Sequence, residues 1–252
     1  MPFALPTNEE KHGFVHAQFE RIARRYDLTN DAISFFMHRF WKKQAVDLLL
    51  TKTALLRKDR AGSFLDVCCG TGDLALAIAR RLERDDSVTG LDFSANMLAC
   101  AQARQTRTSR EKQLKASLDW VEGDAQNLPF NDNQFDGAIV SFGLRNLSDI
   151  DQGLAQMARV VRPGGIVINL DLGKPQGLLF APAFRLYFSH VVPVIGALLQ
   201  KDRAAYTYLP QSKSTYPDPD EISNRLERAG LTNVCHLALT GGSVALHYGQ
   251  VK

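Results

Sequence analysis

A glycine turn with an aspartate on either side is the first segment whose residue types could carry binding chemistry. Gly70-Thr71-Gly72 follows an apolar run containing Asp66 and precedes an alanine-rich run with helical spacing. Glycines at a strand-to-helix turn let the backbone approach a ligand at a helix N-terminus. Asp92 stands 22 residues after Gly70, at the end of the next apolar run, where a carboxylate can accept hydrogen bonds from a ribose diol. The pattern predicts a nucleotide-like ligand and fits NAD and S-adenosylmethionine alike.

Further features of the sequence favour S-adenosylmethionine over a dinucleotide. Asp66 stands four residues before Gly70, where its carboxylate can meet an ammonium group, and no cations that would bind a pyrophosphate flank the turn. Residues 1–60 precede the turn and its strand, whereas dinucleotide folds more often begin with this unit. A glycine turn by itself is only a tight connection, so the prediction depends on Asp92.

A turn after the third apolar run adds candidate contacts to the nucleobase. Asp124 can accept a hydrogen bond from an adenine amino group, and Ala125 offers its backbone amide beside it. Met97 is placed to cover the adenine ring. Aspartate is also common in turns and methionine in helix cores for structural reasons, so both alternatives stay open at this point.

Strands that alternate with helices are needed to bring these residues together. Short apolar runs predict five strands at residues 63–67, 87–91, 118–122, 136–142 and 166–171. Helical spacing predicts helices at residues 74–82, 95–105 and 149–161, with Ser94 as an N-cap. This alternation is typical of an α/β fold with a parallel, doubly wound sheet.

The ends of the chain depart from the alternation. Apolar spacing predicts two or three helices before the first strand, including a helical run over residues 33–50. Near the C-terminus a helix over residues 218–229 precedes strands 234–239 and 243–248, and the turn at Gly241 and Gly242 joins them as an antiparallel hairpin. The hairpin brings the mostly parallel sheet to seven strands.

One internal segment, residues 174–214, is rich in apolar residues and matches no strand of the alternation, so it predicts an inserted helical cap. We expect a single domain over residues 1–252. Its parts are an N-terminal helical region 1–60, a cofactor-binding core 61–173, the cap 174–214, and a C-terminal helix and hairpin 215–252.

Composition and charge exclude several classes of protein. The 252 residues are 45% hydrophobic and 23% charged, which is typical of a globular chain and not of a collagenous or disordered one. A net charge of +3 from scattered basic residues argues against a nucleic-acid partner. Four cysteines without a CxxC pair indicate a reducing compartment, and the N-terminus lacks the order of a signal peptide. Residues 186–200 are apolar but shorter than the ~20 residues that span a bilayer, so we expect a cytoplasmic protein.

Several segments, in order along nearly the whole chain, resemble one family. They are residues 19–31, 38–42, 70–73, 141–146, 162–165, 206–212 and 241–247. On these segments the chain resembles the menaquinone/ubiquinone biosynthesis C-methyltransferase family, within the class I S-adenosylmethionine-dependent methyltransferases. The segment Ser-Phe-Gly-Leu-Arg-Asn at 141–146 discriminates better than the glycine turn, which many chemistries share. Cys68 and Cys69 depart from the small residues common there, and packing explains them better than a nucleophilic role.

The resemblance implies methyl transfer from S-adenosylmethionine to a ring carbon of a polyprenylated quinol, converting demethylmenaquinol to menaquinol, without a metal. The same reaction on a 2-polyprenyl-6-methoxybenzoquinol or on a phytyl naphthoquinol stays an alternative. A noncatalytic S-adenosylmethionine-binding subunit of a quinone-making complex is a further alternative. Peripheral membrane contact, at an inner or photosynthetic membrane, and a homodimer are both left open.

The family-like segments also assign residues to the site. Arg145 would stabilise the developing quinolate, and Asn146 would hold a ring oxygen or a water that relays the proton. The same segments add Thr71 and Ser141 to the predicted cofactor-binding residues. The candidates for the quinol-facing wall are Tyr26, Asp27, Asn30, His190, Tyr206 and Tyr208. The apolar side chains of residues 177–199 offer a groove for an isoprenoid tail, although a helix packed on the core would look the same.

Overall fold

Seven strands form a single mixed sheet in the computed structural model, which describes residues 8–57, 60–110, 114–200, 212–213 and 215–252. The strands are β1 (Ser63–Val67), β2 (Ser87–Asp92), β3 (Ser117–Glu122), β4 (Phe135–Ser141), β5 (Val161–Leu172), β6 (Leu231–Leu239) and β7 (Val244–Val251). Their order across the sheet is β3-β2-β1-β4-β5-β7-β6. β1 to β5 are parallel, and β7 is antiparallel to both β5 and β6. The predicted doubly wound sheet with a C-terminal antiparallel hairpin is confirmed.

Helices precede, connect and follow these strands. Within the described residues they are α1 (Asn8–Ile22), α2 (Tyr26–Ser34), α3 (Met37–Thr53), α4 (Asp73–Ala79), α5 (Ala95–Arg110), α6 (Ile150–Val160), α7 (Phe180–Leu186), α8 (Val192–Gln200) and α9 (Pro219–Arg228). Ser94 caps α5 as predicted, because its Oγ accepts a hydrogen bond from the backbone N–H of Met97 at 3.1 Å. Asp149 and Asp218 cap α6 and α9 in the same way.

Buried side chains form a core on each face of the sheet. On one face Phe64 of β1 lies in a cluster with Leu49 of α3 and Ile78 of α4. On the other face Leu65 lies in a cluster with Leu154 of α6. Because parallel strands are covered by helices on both faces, their sequences are continuous apolar runs, which is why the strands could be located from the sequence.

The turn between α2 and α3 contradicts the predicted continuous helix over residues 33–50. α2 ends at Ser34, and Phe35 and Phe36 both adopt left-handed backbone conformations, with φ of 49° and 64°. The backbone N–H of Phe36 donates to the carbonyl of Asp31 at 2.9 Å, which closes α2 before α3 begins. Apolar spacing is similar on both sides of this turn, so periodicity does not reveal the break.

The inserted segment is helical where the structure describes it. α7, a π-helical turn at Tyr187–Val191 and α8 follow one another without a break. Among the described residues, the run Phe180–Leu199 is the one helix long and apolar enough to cross a membrane, judged by length and composition alone. At 20 residues it is longer than the apolar stretch counted from the sequence, because Arg185 does not interrupt the helix. The division of the chain into four regions stays a prediction.

Candidate active site

A pocket lies at the carboxyl ends of β1, β2 and β4, where doubly wound sheets bind their ligands. We call it the cofactor pocket. Its walls include His12, Val15, Phe19, Tyr26, Cys68, Gly70, Asp92, Phe93, Met97, Asp124, Ala125, Ser141, Phe142 and Asn146. Ala125 and Met97, two of the predicted cofactor-binding residues, are buried in this wall.

Asp92 stands at the end of β2 and links the glycine turn to the start of α5. Its Oδ2 accepts from the backbone N–H of Gly70 at 2.8 Å, and its Oδ1 accepts from the N–H of Ser94 at 3.0 Å. Burial raises the pKa of Asp92 to about 6, although these hydrogen bonds oppose the shift. A third hydrogen bond comes from the backbone of Phe93, and because a carboxylate has about four acceptor positions, capacity is left for a hydroxyl group in the pocket.

The residues of the glycine turn do not all face the cofactor pocket. Gly70 lies in its wall, whereas Thr71 donates from Oγ1 to Asp27 Oδ1 at 2.9 Å. Gly72 has a φ of 77°, and a Cβ added there would lie 2.9 Å from Ala101 Cβ and closer still to the Trp120 ring. The structure therefore explains Gly72 by packing, and it does not bring Thr71 or Gly72 to the ligand side.

Asp66 lies beneath the pocket and not in its wall. Its side chain is 1% exposed, and Oδ2 accepts from the backbone N–H of Ala75 at 2.9 Å. Burial raises the pKa of Asp66 to about 7. The proposed contact with a ligand ammonium group is not supported by this placement, and the carboxyl group anchors the first turn of α4 instead.

Two polar side chains in the pocket wall keep hydrogen-bonding capacity for a ligand. The Oγ of Ser141, at the end of β4, is buried and has no hydrogen-bond partner among the described residues. A buried hydroxyl without a partner costs free energy, which a bound ligand can recover. Asp124 accepts from the backbone N–H of Gln126 through Oδ1 at 2.8 Å, and its Oδ2 lies 3.9 Å from His12 Nε2. The wall therefore fits a polar, adenosine-like group.

α1 covers the cofactor pocket, which the sequence analysis did not anticipate. The Nζ of Lys11 donates to the carbonyl of Leu147 at 2.6 Å and so joins α1 to the segment after β4. Farther along α1, Oε1 of Glu20 accepts from the Oγ of Ser94 at 2.6 Å. His12 and Phe19, between these two anchors, line the pocket. No residue pattern in α1 signals this role, because the partners lie far away in the sequence.

A second pocket, which we call the acceptor pocket, adjoins the first. The two share Tyr26 and Phe142. Its apolar wall consists of Ile33, Trp41, Phe142, Leu172, Phe184, Tyr187, Phe188 and Val244. Its polar wall consists of Tyr26, Asn30, Ser34, His38, Lys42, Arg145 and Ser243. A ligand in one pocket can therefore reach a ligand in the other at the shared residues.

Lys42 and His38, one turn apart on α3, give the acceptor pocket its polar character. The Lys42 ammonium lies 3.1 Å from Asp73 Oδ2. Burial alone lowers the pKa of Lys42, but Asp73, Tyr26 and Asp27 outweigh it and hold the pKa above its ordinary value. Burial, together with the nearby Lys42 charge, lowers the pKa of His38 to about 4. At neutral pH Lys42 is therefore charged and His38 is neutral.

Arg145 lies in the wall of the acceptor pocket and forms an ion pair with a residue of β5. Its guanidinium Nη1 lies 2.7 Å from Asp171 Oδ1 and donates to the carbonyl of Phe142 at 2.7 Å. The side chain is 8% exposed, so the ion pair is buried and not the surface salt bridge that is the usual alternative. Asn146 donates to the same carbonyl at 3.3 Å and lines the cofactor pocket, not the acceptor pocket.

The predicted quinol-facing residues divide into three groups. Tyr26 and Asn30 line the acceptor pocket. Asp27 instead pairs with Arg104 on the outer side of α2, and His190 is exposed on the π-helical turn, with Nδ1 3.2 Å from the Leu186 carbonyl. Neither residue lies in the wall of the acceptor pocket, since a helix points neighbouring residues to different sides, and their roles stay predictions. Tyr206 and Tyr208 lie outside the described residues.

The thiol of Cys68 lies in the cofactor pocket, and Cys69 is buried beside it. Burial and the nearby Asp92 carboxylate raise the pKa of both thiols well above the ordinary value. Neutral thiols are poor nucleophiles, so this environment agrees with a packing role. Within the described ranges, no three His, Cys, Asp or Glu side chains are grouped so as to hold a metal ion.

Solved structures share this architecture. A S-adenosylmethionine-dependent methyltransferase of Thermotoga maritima superposes with a TM-score of 0.60 and 18% identity, covering 94% of this chain and 99% of that one. A phosphoethanolamine N-methyltransferase of Haemonchus contortus, solved with S-adenosyl-L-methionine, has a TM-score of 0.54 and 17% identity, covering 76% of this chain and 49% of that one. Likeness at this identity is a likeness of fold. The fold, with its pocket at the strand ends, is that of the class I S-adenosylmethionine-dependent methyltransferases.

Sequence comparison gives a narrower assignment. The sequence model of the ubiE/COQ5 methyltransferase family matches residues 6–251, and the chain belongs to this family. A demethylmenaquinone methyltransferase of Desulfitobacterium hafniense is 38% identical over 97% of this chain and 92% of its own length. The protein of that name from Staphylococcus haemolyticus is 36% identical over 97% of both chains. The resemblance stated from the sequence motifs is confirmed.

Proposed function

We propose that this protein transfers the methyl group of S-adenosylmethionine to a ring carbon of demethylmenaquinol and so forms menaquinol. The observation that carries the proposal is the junction of two pockets at Tyr26 and Phe142, one at the strand ends with Asp92 and Asp124 in its wall and one rich in aromatic side chains. The names of the relatives support the same substrate. In the reaction the sulfonium methyl bonds to the ring carbon, S-adenosylhomocysteine leaves, and the ring carbon loses its proton.

The cofactor pocket has the donors and acceptors that S-adenosylmethionine needs. Asp92 has a free acceptor position for a ribose hydroxyl, and Ser141 has a buried hydroxyl without a partner among the described residues. Asp124 and Ala125 lie where an adenine edge can be bound. When bound, the cofactor supplies an electrophilic methyl group on a positively charged sulfur. The carboxylates of Asp92 and Asp124 favour a cation in this pocket.

The acceptor must be made electron-rich, and the charges of the acceptor pocket favour this. An ionised ring hydroxyl pushes electron density onto the unsubstituted ring carbon, which can then attack the methyl group. Lys42 stays protonated at neutral pH, and the Arg145 guanidinium lies in the same wall. Fixed cations in a site closed to water stabilise a developing anion more than they would in solution. We assign this stabilisation to Lys42 and Arg145 together, each of which is held in place by a carboxylate, Asp73 at 3.1 Å and Asp171 at 2.7 Å.

The remaining wall of the acceptor pocket suits a naphthoquinol carrying an isoprenoid tail. Trp41 and Phe142 lie with ring centroids 6.2 Å apart, and Phe184 and Phe188 are stacked at 5.4 Å on the inserted helix. Aromatic rings bind flat apolar rings by offset or edge contacts. Orientation of the ring and exclusion of water are the main contributions that such a wall makes to the reaction.

The proposal is tested by anaerobic turnover with a short-chain demethylmenaquinone. Two samples receive S-adenosylmethionine, one with the quinone reduced by dithionite and one with it kept oxidised. We expect ring methylation in the reduced sample alone, because an oxidised ring is electron-poor. Product isolated by chromatography should carry the new methyl on carbon by mass spectrometry and NMR. Absence of transfer to the quinol, or equal methylation of both samples, would overturn the proposal.

A further inference from the structure

Two residues of α3 separate the acceptor pocket from a third cavity, which lies between α3, α4 and α5. We call it the outer cavity. Its wall includes Lys43 and Arg81, whose side chains are 71% and 44% exposed, so this cavity opens to solvent. Among the described residues, the acceptor pocket and the outer cavity share His38 and Lys42. These two side chains therefore lie between the ring-binding wall and the solvent side.

Of the two shared residues, His38 is the one that can accept a proton at neutral pH. Burial opposes the charge of Lys42, but nearby carboxylates keep its pKa above the ordinary value. His38 is buried, and burial together with the Lys42 charge lowers its pKa to about 4, so its ring is neutral. The charged groups that face His38 come from three helices. They are Lys42 and Arg39 on α3, Asp31 on α2 and Asp73 on α4.

The two ring nitrogens of His38 face different partners. Nδ1 lies 2.8 Å from the Oγ of Ser34, which lines the acceptor pocket. Nε2 lies 3.7 Å from Oδ1 of Asp31. Asp31 pairs in turn with Arg39 at 2.6 Å, and Arg39 lines the outer cavity. The imidazole therefore has one nitrogen toward the acceptor pocket and the other toward an ion pair on the solvent side.

The Ser34 hydroxyl can connect a ligand to His38. It has one proton and two acceptors within reach, the Asn30 carbonyl at 2.6 Å and His38 Nδ1 at 2.8 Å. Rotation of the hydroxyl is enough to exchange one for the other. Once His38 is protonated, its Nδ1–H can donate to Ser34 while Ser34 donates to Asn30, so the contacts suit the protonated ring as well as the neutral one.

The reaction proposed above needs a group that accepts a proton. A phenolic hydroxyl has a pKa of about 10, so about one quinol in a thousand is ionised at neutral pH without help. The other titratable side chains in the described wall of the acceptor pocket are phenols, an ammonium and a guanidinium. These types carry their protons at neutral pH. His38 is thus the side chain of this wall that is able to act as a base.

We propose that His38 is the general base that ionises the quinol, accepting the proton of a ring hydroxyl through Ser34. The assignment rests on the proposed function. The hydroxyl O–H bond breaks and its electron pair stays on oxygen, while Ser34 takes up this proton and passes its own to Nδ1. The ring carbon then bonds to the methyl group as the methyl–sulfur bond breaks, and that electron pair stays on sulfur. The ring C–H proton moves to the ring oxygen, which restores the aromatic quinol. The proton on His38, the one that the reaction releases, leaves through the outer cavity.

The pH dependence of methylation in three variants tests the proposal, with the short-chain quinone reduced as above. His38→Gln keeps a polar side chain and removes the base. Ser34→Ala removes the link to the ligand but keeps His38, so it tests the proposal even if His38→Gln does not fold. His236→Gln is the matched control, because Nδ1 of His236 lies 3.2 Å from the Oγ of Ser223 in the wall of neither pocket. Melting temperatures and far-UV spectra establish that each variant is folded.

We expect kcat at neutral pH to fall about 10²-fold in His38→Gln, the lower end of what a general base contributes. KM for the quinol should change little, and His236→Gln should match the unmodified protein. Ser34→Ala should show a smaller loss of the same kind. Near pH 9 (about one unit below a phenolic pKa) the quinol ionises by itself, so both variants should recover about tenfold relative to the unmodified protein. A variant that is only misfolded would not recover in this way.

Two results would overturn the assignment alone. One is turnover by the unmodified protein that His38→Gln and Ser34→Ala both match at neutral pH. The other is a loss of kcat in these variants that is the same near pH 9 as at neutral pH. Failure of the unmodified protein to methylate the quinol at any pH would instead overturn the proposed function, and this assignment with it.

Discussion

The ammonium of Lys42 lies 3.1 Å from the carboxylate of Asp73, so that α3 is joined to the first turn of α4. Asp73 directly follows the glycine turn, whereas Lys42 lies in the wall of the acceptor pocket. The Lys42 charge lowers the pKa of Asp73, although burial opposes this, so both partners are ionised at neutral pH. The ion pair therefore sets the position of the acceptor-side cation relative to the cofactor pocket.

Lys42→Met should lower kcat by about 10²-fold, which is the usual loss when one anion-stabilising donor is removed. Cofactor affinity should stay nearly unchanged, because Lys42 is not in the wall of the cofactor pocket. Steady-state assays with the reduced quinone, together with calorimetric titration of S-adenosylmethionine, measure the two quantities.

Two controls distinguish a catalytic role of Lys42 from a structural one. Lys43→Met removes an exposed lysine paired with Asp47 at 2.8 Å and should leave kcat unchanged. Lys42→Met/Asp73→Asn removes both charges and should recover stability without recovering turnover. Turnover regained by that double variant would show that Lys42 acts only through the fold.

S-adenosylmethionine should bind more weakly as the pH falls below about 6. Burial raises the pKa of Asp92 to about 6, and the cationic ligand favours its ionised form. In the free protein the native state holds this proton more tightly than the unfolded chain. The Asp92 contribution to stability is therefore greatest below the unfolded pKa, near 4, and falls as pH rises through 6.

Titration calorimetry from about pH 5 to about pH 8, a range that spans the raised pKa of Asp92, measures this dependence. Asp92→Asn should weaken binding by about 1–3 kcal/mol at neutral pH and flatten its pH dependence. Asp85→Asn, at an exposed carboxylate, should retain the unmodified profile. A profile that stays steep in Asp92→Asn would assign the titration to another group of the pocket.

Arg145→Ala should destabilise the fold as well as reduce turnover. Asp171 is 1% exposed, and removing its partner leaves a buried carboxylate without a cation, at a cost of about 3–5 kcal/mol. Urea denaturation measures this loss. Arg228→Ala, at an exposed ion pair with Glu221, should leave the midpoint nearly unchanged. A midpoint that does not move in Arg145→Ala would mean that the buried pair contributes nothing to stability.

Gly72→Ala should be more destabilising than Gly70→Ala. A Cβ at Gly72 meets the Trp120 ring and Ala101, whereas a Cβ at Gly70 meets no atom within 4 Å. Both positions have a positive φ, which costs about 1–2 kcal/mol for alanine, and overpacking at Gly72 adds about 1–3 kcal/mol. Thermal unfolding of the two variants measures the difference, and Trp120→Phe should relieve part of it in the Gly72→Ala background. Equal stability of the two single variants would contradict the packing role of Gly72.

The sequence by itself determined the sheet and the position of the cofactor pocket. The strands are continuous apolar runs because both faces of a parallel sheet are buried, and helices with ordinary spacing lie between them. Gly70, Asp92 and Asp124 each follow a predicted strand, and the carboxyl ends of parallel strands meet at one edge. Their convergence therefore follows from topology.

Only the tertiary structure decided which side each side chain faces and which partner it has. Asp66 and Asp92 both lie beside the glycine turn. Asp66 accepts a hydrogen bond from the backbone of α4, whereas Asp92 lines the cofactor pocket. Arg145 forms an ion pair with Asp171 of β5, and Lys42 of α3 forms an ion pair with Asp73 of α4. Local spacing reports burial and periodicity along one element. It carries no information about a partner that packing brings from elsewhere, and these partners determine charge and pKa in the site.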